Sequence, residues 1–134
     1  MVVLDASALL AYLRDEPGAQ AVADAIAEGA AISAVNVAEV LSRSADRGAD
    51  PAQLADELTR RGLLGGALLV EAFTADDAIE AARLRPLTRQ AGLSLGDRAC
   101  LALTHRLRTV ALTADTAWAG LTLDIETRQI RDGT

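Results

Sequence analysis

The sequence predicts a single α/β domain with a mainly parallel central sheet flanked by helices. Two observations carry that prediction. Short β-branched and aliphatic runs alternate along the chain with longer segments of helical spacing. The first run, Val2-Val3-Leu4, ends at Asp5 and passes directly into Ala6-Ser7-Ala8-Leu9-Leu10-Ala11-Tyr12-Leu13, as a buried strand passes into a helix at the carboxyl edge of a sheet. No repeat and no long linker divides the 134 residues, so one domain is expected over 1–134, with a polar tail over 128–134.

Pro17-Gly18 breaks the first helix, and a second is expected over about 19–27, with Val22 and Ile26 on one face and Gly29 ending it. Ala30-Ala31-Ile32 reads as the second strand. Ser33 is placed to cap a helix that runs to about Arg47, with Val37, Val40, Leu41 and Ser44 as its inward stripe. Asp50-Pro51 is a strong start for the next helix, which carries Leu54 and Leu58 and closes at Gly65-Gly66. A third strand is expected over 67–73. Thr74-x-x-Asp77 opens a helix with Ile79 and Leu84 inward, which Pro86 should kink or end. Ser94 opens another helix, carrying Ala99, Leu101, Ala102 and Leu103. The fourth strand is expected over 109–113, and the alternation of Leu121-Thr122-Leu123-Asp124-Ile125 reads as a short edge strand.

Composition narrows the function. Aromatic residues make up 2% of the chain, which argues against the base-stacking platforms of single-strand binders. A net charge of −6 argues against broad electrostatic binding of nucleic acid. All thirteen basic residues are arginine, a usage that fits genomic base composition as well as phosphate recognition. The lone Cys100 excludes an internal disulfide and fits a reducing compartment. With no basic leader and no apolar run near the roughly 20 residues of a membrane span, a cytoplasmic protein without a membrane partner is expected.

Four acids stand at matching places. Asp5 and Asp115 each follow a strand-like run and precede a hydroxyl residue or turn. Glu39 lies early in the helix that leaves the second strand, off its apolar stripe. Asp97 lies in the first turn of a nearly all-apolar helix, behind Gly96, which permits close approach to the backbone. Each alone is equally at home as a cap or a solvated surface group; Asp77 has the same form as Asp97 and is assigned to capping. Together, four carboxylates from four segments at one rim repel one another, and a divalent cation resolves the repulsion. An all-oxygen set without Cys or His suits Mg²⁺, with Mn²⁺ as a substitute, rather than Zn²⁺. His105 has no ligand cluster around it and is read as a surface residue.

The ordered set Val3-Leu4-Asp5-Ala6-Ser7-Ala8-Leu9-Leu10, Ala38-Glu39-Val40-Leu41, Leu93-Ser94-Leu95-Gly96-Asp97-Arg98-Ala99-Cys100 and Leu112-Thr113-Ala114-Asp115 resembles a PIN domain, above all the small single-domain toxins of VapC type. The resemblance spans essentially the whole chain. It implies a Mg²⁺-dependent endoribonuclease site made by Asp5, Glu39, Asp97 and Asp115, with Ser7 and Thr113 orienting ligands or water from behind. It also implies an RNA substrate, a cognate antitoxin and a homodimer. Asp5, Asp97 and Asp115 are then the metal ligands, and Glu39 ligates, positions water, or both. Arg43 and Arg98 lie near the rim by sequence, where the plain surface reading is favoured over contact with RNA. Two other readings remain. A haloacid-dehalogenase-like phosphatase also places Asp after its first strand, but it wants Asp-x-Asp where this chain has Ser7. A non-catalytic PIN-like binding module would not require all four acids.

Overall fold

A computed structural model describes residues 1–131. In chain order it contains β1 (Val2–Leu4), α1 (Ala6–Leu13), α2 (Ala19–Glu28), β2 (Ala30–Ser33), α3 (Ala34–Asp46), α4 (Pro51–Arg60), β3 (Leu68–Glu71), α5 (Ala75–Thr88), α6 (Leu95–Leu107), β4 (Val110–Thr113), a 3₁₀ turn (Thr116–Gly120) and β5 (Glu126–Gln129). The five strands form one sheet in the order β3-β2-β1-β4-β5, and every pairing is parallel. The α/β class read from the sequence is the class observed.

Both faces of the sheet are covered, so successive strand residues feed opposite cores. Leu4, Ile32 and Leu112 pack with Leu9, Val22, Val40 and Leu58 on one side. Val3, Ala31 and Ala111 pack with Leu84, Leu101, Leu103 and Trp118 on the other. Each fully buried Leu, Val or Ile among these contributes roughly 1.5–3 kcal/mol by leaving water. Gly18 precedes α2 with φ 95, and Ile130 lies 2.7 Å from where its Cβ would be, so both backbone angle and space exclude a side chain there.

The chain leaves β1 toward β2 and β3, then crosses back to place β4 on the other side of β1. The carboxyl ends of β1 and β4 therefore flank the switch point at which open α/β sheets bind ligands. Because α3 leaves β2 and α6 leads into β4, both helix N-termini lie at that same edge.

Three expectations are corrected and one is narrowed. The edge strand is Glu126–Gln129, not 121–125; its register is fixed by pairing with β4 and by the Ile130 N–H donating to Thr113 O at 2.9 Å. The polar tail therefore does not begin at 128, since Arg128 and Gln129 belong to β5 and Ile130 is buried; 132–134 lie outside the described residues. Ile79 is 69% exposed, because the inward line of α5 is Asp77, Ala81, Leu84 and Thr88. Pro86 does not end α5, which runs to Thr88: the carbonyl it leaves without a donor belongs to exposed Ala82, on the solvent side. None of the described helices is long and apolar enough to cross a membrane.

Candidate active site

Asp5 is the fixed point of the rim. It is 3% exposed and caps α1 through Oδ1, which accepts from the Ala8 N–H at 2.8 Å. The Ser7 hydroxyl lies 2.7 and 2.9 Å from its two oxygens, and the Thr113 hydroxyl donates to Oδ2 at 2.5 Å. Ser7 Oγ in turn accepts from the Ala114 N–H at 2.9 Å, and Thr113 Oγ1 accepts from the Asp115 N–H at 3.0 Å. These bonds run from β1 across to the end of β4, so the two hydroxyls expected to orient ligands do hold Asp5 and tie it to the Asp115 backbone. Ser7 is thereby committed to Asp5 and Ala114, and it supplies no second carboxylate for phosphatase chemistry.

Burial pushes the Asp5 carboxyl up to about 6. Bonds from Thr113, Ala8 and Ser7 work against that rise, and the Asp97 charge adds to it. Cys100, fully buried in α6, is pushed up first by burial and then by the charges of Asp5, Asp97 and Glu39. Three of the four acids thus act on Cys100 of α6, the helix whose first turn holds Asp97.

Glu39 reaches that place by lying against Gly96, where a Cβ would collide with its carboxylate. Asn36, one helical turn earlier and 1% exposed, donates from Nδ2 to Glu39 Oε1 at 2.7 Å and to the Gly96 carbonyl at 3.0 Å. Sequence reasoning marked Gly96 as a point of close approach but passed over Asn36; its spacing of three from Glu39 was the available signal. Asp97 closes a capping box with Ser94, using Oδ2. Asp115 caps the 3₁₀ turn, its Oδ1 accepting from the Ala117 N–H at 2.9 Å.

The caps and the rim are compatible. Among the described residues, Asp97 Oδ1, Asp115 Oδ2 and Glu39 Oε2 accept no hydrogen bond, and no arginine or histidine pairs with any of the four acids. The side chains share an edge but are not drawn together: no group of three or more His, Cys, Asp or Glu among the described residues is close enough to hold a metal ion. The donor chemistry nevertheless fits a hard divalent cation, being all-oxygen, uncompensated by cations and partly buried. Arg98 is half-buried, and its Nη1 donates to Ala81 O at 2.8 Å. Arg43 and His105 are exposed. Asp77 is structural: it forms a capping box with Thr74 and an ion pair with Arg106 at 2.9 Å.

Fold and rim define a class, and the family model for the PIN domain matches residues 2–122: the chain belongs to the PIN domain family. Its fold is similar to that of FitAcB from Neisseria gonorrhoeae, at 21% identity over 97% of this chain and 98% of that one, with a TM-score of 0.72. It is also similar to VapBC2 from Rickettsia felis, solved with a DNA fragment from its promoter, at 15% identity over 96% and 98%, TM-score 0.70. A third similar structure is Mycobacterium tuberculosis VapC20, described as a toxin cleaving the sarcin-ricin loop, at 18% identity over 91% and 97%, TM-score 0.69. No curated protein matches the chain by sequence.

Proposed function

We propose that this chain is a divalent-metal-dependent endoribonuclease, the toxin of a type II toxin–antitoxin pair, and that Asp5, Glu39, Asp97 and Asp115 hold Mg²⁺ or Mn²⁺. The observation that carries the reading is the set of oxygens left free on Glu39, Asp97 and Asp115 at the same sheet edge as a buried Asp5, the switch point of a PIN sheet. The similar folds, one described as a toxin cleaving the sarcin-ricin loop and another as a member of the VapBC family of toxin-antitoxin systems, support the substrate class and a protein antitoxin as partner.

When bound, the ion supplies positive charge for the phosphodiester and acidifies water. The chain's own part is positioning. Ser7 and Thr113 fix Asp5 in one rotamer and favour its ionised form. Local caps hold one oxygen of Asp97 and one of Asp115 and leave the other available. The acidic rim repels RNA until its charge is neutralised, which makes substrate binding as well as cleavage depend on the metal.

The test is cleavage of structured RNA by purified protein with Mg²⁺ or Mn²⁺, and again in excess chelator. Cleavage restricted to the metal-containing samples and absent from an Asp97→Asn preparation is the expected result. Undiminished cleavage in chelator by wild type, with the Asp97→Asn preparation silent, contradicts it.

A further inference from the structure

Asn36 joins two parts of the rim that the sheet does not connect. Its Nδ2 donates to Glu39 Oε1 on α3 and to the Gly96 carbonyl at the start of α6. Both partners are acceptors, so the amide sits with its nitrogen toward them. Both of its N–H groups are then used. Its Oδ1 is buried without a partner, which costs stability, and an apolar side chain of similar volume would avoid that cost. Stability alone therefore does not account for an asparagine here.

Resting on the metal-dependent reading above, we propose that Asn36 is a positioning residue that acts through Glu39. It holds the Glu39 carboxylate against the Gly96 backbone, one residue before Asp97 in α6, with Oε1 occupied and Oε2 left as the oxygen for the cation. Glu39 has three rotatable side-chain bonds and carries the same sign of charge as Asp97 and Asp5, which act with it on Cys100. Without the Asn36 donor those charges and its own rotamer entropy turn it toward solvent, and metal binding must then gather it back.

The experiment measures Mn²⁺ affinity calorimetrically, and melting in EDTA, for wild type, Asn36→Leu, Glu39→Ala and the double variant. Asn36→Leu keeps the branched shape of the side chain and removes the donor; Asn36→Ala takes its place if the leucine variant does not fold. Asn36→Leu should melt close to wild type in EDTA yet bind Mn²⁺ about tenfold or more weakly, the usual effect of losing a ligand's supporting bond. In the Glu39→Ala background the same change should have no further effect on affinity, because nothing is left to position. Wild-type affinity in Asn36→Leu, or a full additional loss in the double variant, overturns the proposal while leaving the metal site standing. Failure of the wild type to bind Mn²⁺ at millimolar concentration overturns the metal reading and this inference with it.

Discussion

The carboxylate of Glu39 occupies the space that a side chain on Gly96 would need. Two helices distant in sequence meet there, and the missing Cβ lets an acid from α3 lie against the Gly96 backbone of α6. Gly96→Ala should therefore act on the site rather than on the fold. Alanine improves a helical position by up to about 1 kcal/mol over glycine, which offsets the strain of displacing one side chain from a partly exposed rim. Melting in EDTA should change little, while Mn²⁺ affinity and RNA cleavage fall by about tenfold or more. Wild-type affinity in Gly96→Ala would show that Glu39 does not work from this position.

Asp5 makes the metal-free protein pH-sensitive. Its carboxyl is raised from 3.8 to about 6 by burial, so between those values the folded state holds a proton that the unfolded state has released. Its contribution to stability is therefore present at low pH and is lost as pH rises through that window. At about 1.4 kcal/mol per pH unit the loss is roughly 3 kcal/mol, complete above about pH 6. Asn at this cap is about as good as Asp, so Asp5→Asn should match wild type near pH 4 and exceed it near pH 7. Urea unfolding in EDTA across pH 4–7 measures the difference; a constant offset between the two proteins contradicts the assignment.

Thr113 opposes that rise by donating to Asp5 Oδ2. Thr113→Val removes the donor, along with the acceptor for the Asp115 N–H. The pH window over which stability is lost should extend upward, and the protein should lose about 1–3 kcal/mol from the unpaired buried groups. The same titrations read this as a higher midpoint relative to wild type.

Asp77 provides the contrast. It is 2% exposed, caps α5 and pairs with Arg106 across to α6, remote in the chain from the four rim acids. Asp77→Ala should cost about 1–3 kcal/mol through the lost cap and the broken pair with a partly exposed guanidinium. Mn²⁺ affinity, measured below the lowered melting temperature, should remain that of wild type. A matching loss of affinity would mean that fold stability, not the rim, sets metal binding.

The parts legible in the sequence were those with a local cause. The run Val2-Val3-Leu4 before Asp5, the caps at Ser33, Asp50, Thr74 and Ser94, and the strand before Asp115 all follow from short-range pattern and lie where expected. The β5 strand was misplaced because Glu126-Thr127-Arg128-Gln129 carries no apolar alternation; its pairing with β4 is a tertiary contact. Ile79 reads as inward on hydrophobicity, yet the buried line of α5 is Asp77, Ala81, Leu84 and Thr88, with Asp77 paired to Arg106. At the site, four acids at one edge could be inferred from topology. The role of Asn36 could not, because its second partner is a backbone carbonyl 60 positions away.

Asp5, Glu39, Asp97 and Asp115 are proposed to share one metal site. The most direct measurement is the Mn²⁺-induced rise in melting temperature of wild type and Asp5→Asn at neutral pH. An ion that binds only the folded state stabilises it by RT ln(1 + [L]/Kd), about 2.7 kcal/mol at one hundred times Kd. Asp5→Asn, relieved of a buried charge that Asp97 opposes, should melt at or above wild type in EDTA and gain far less than wild type from Mn²⁺. If Asp5→Asn shows the full wild-type rise, the four acids do not form a common metal site.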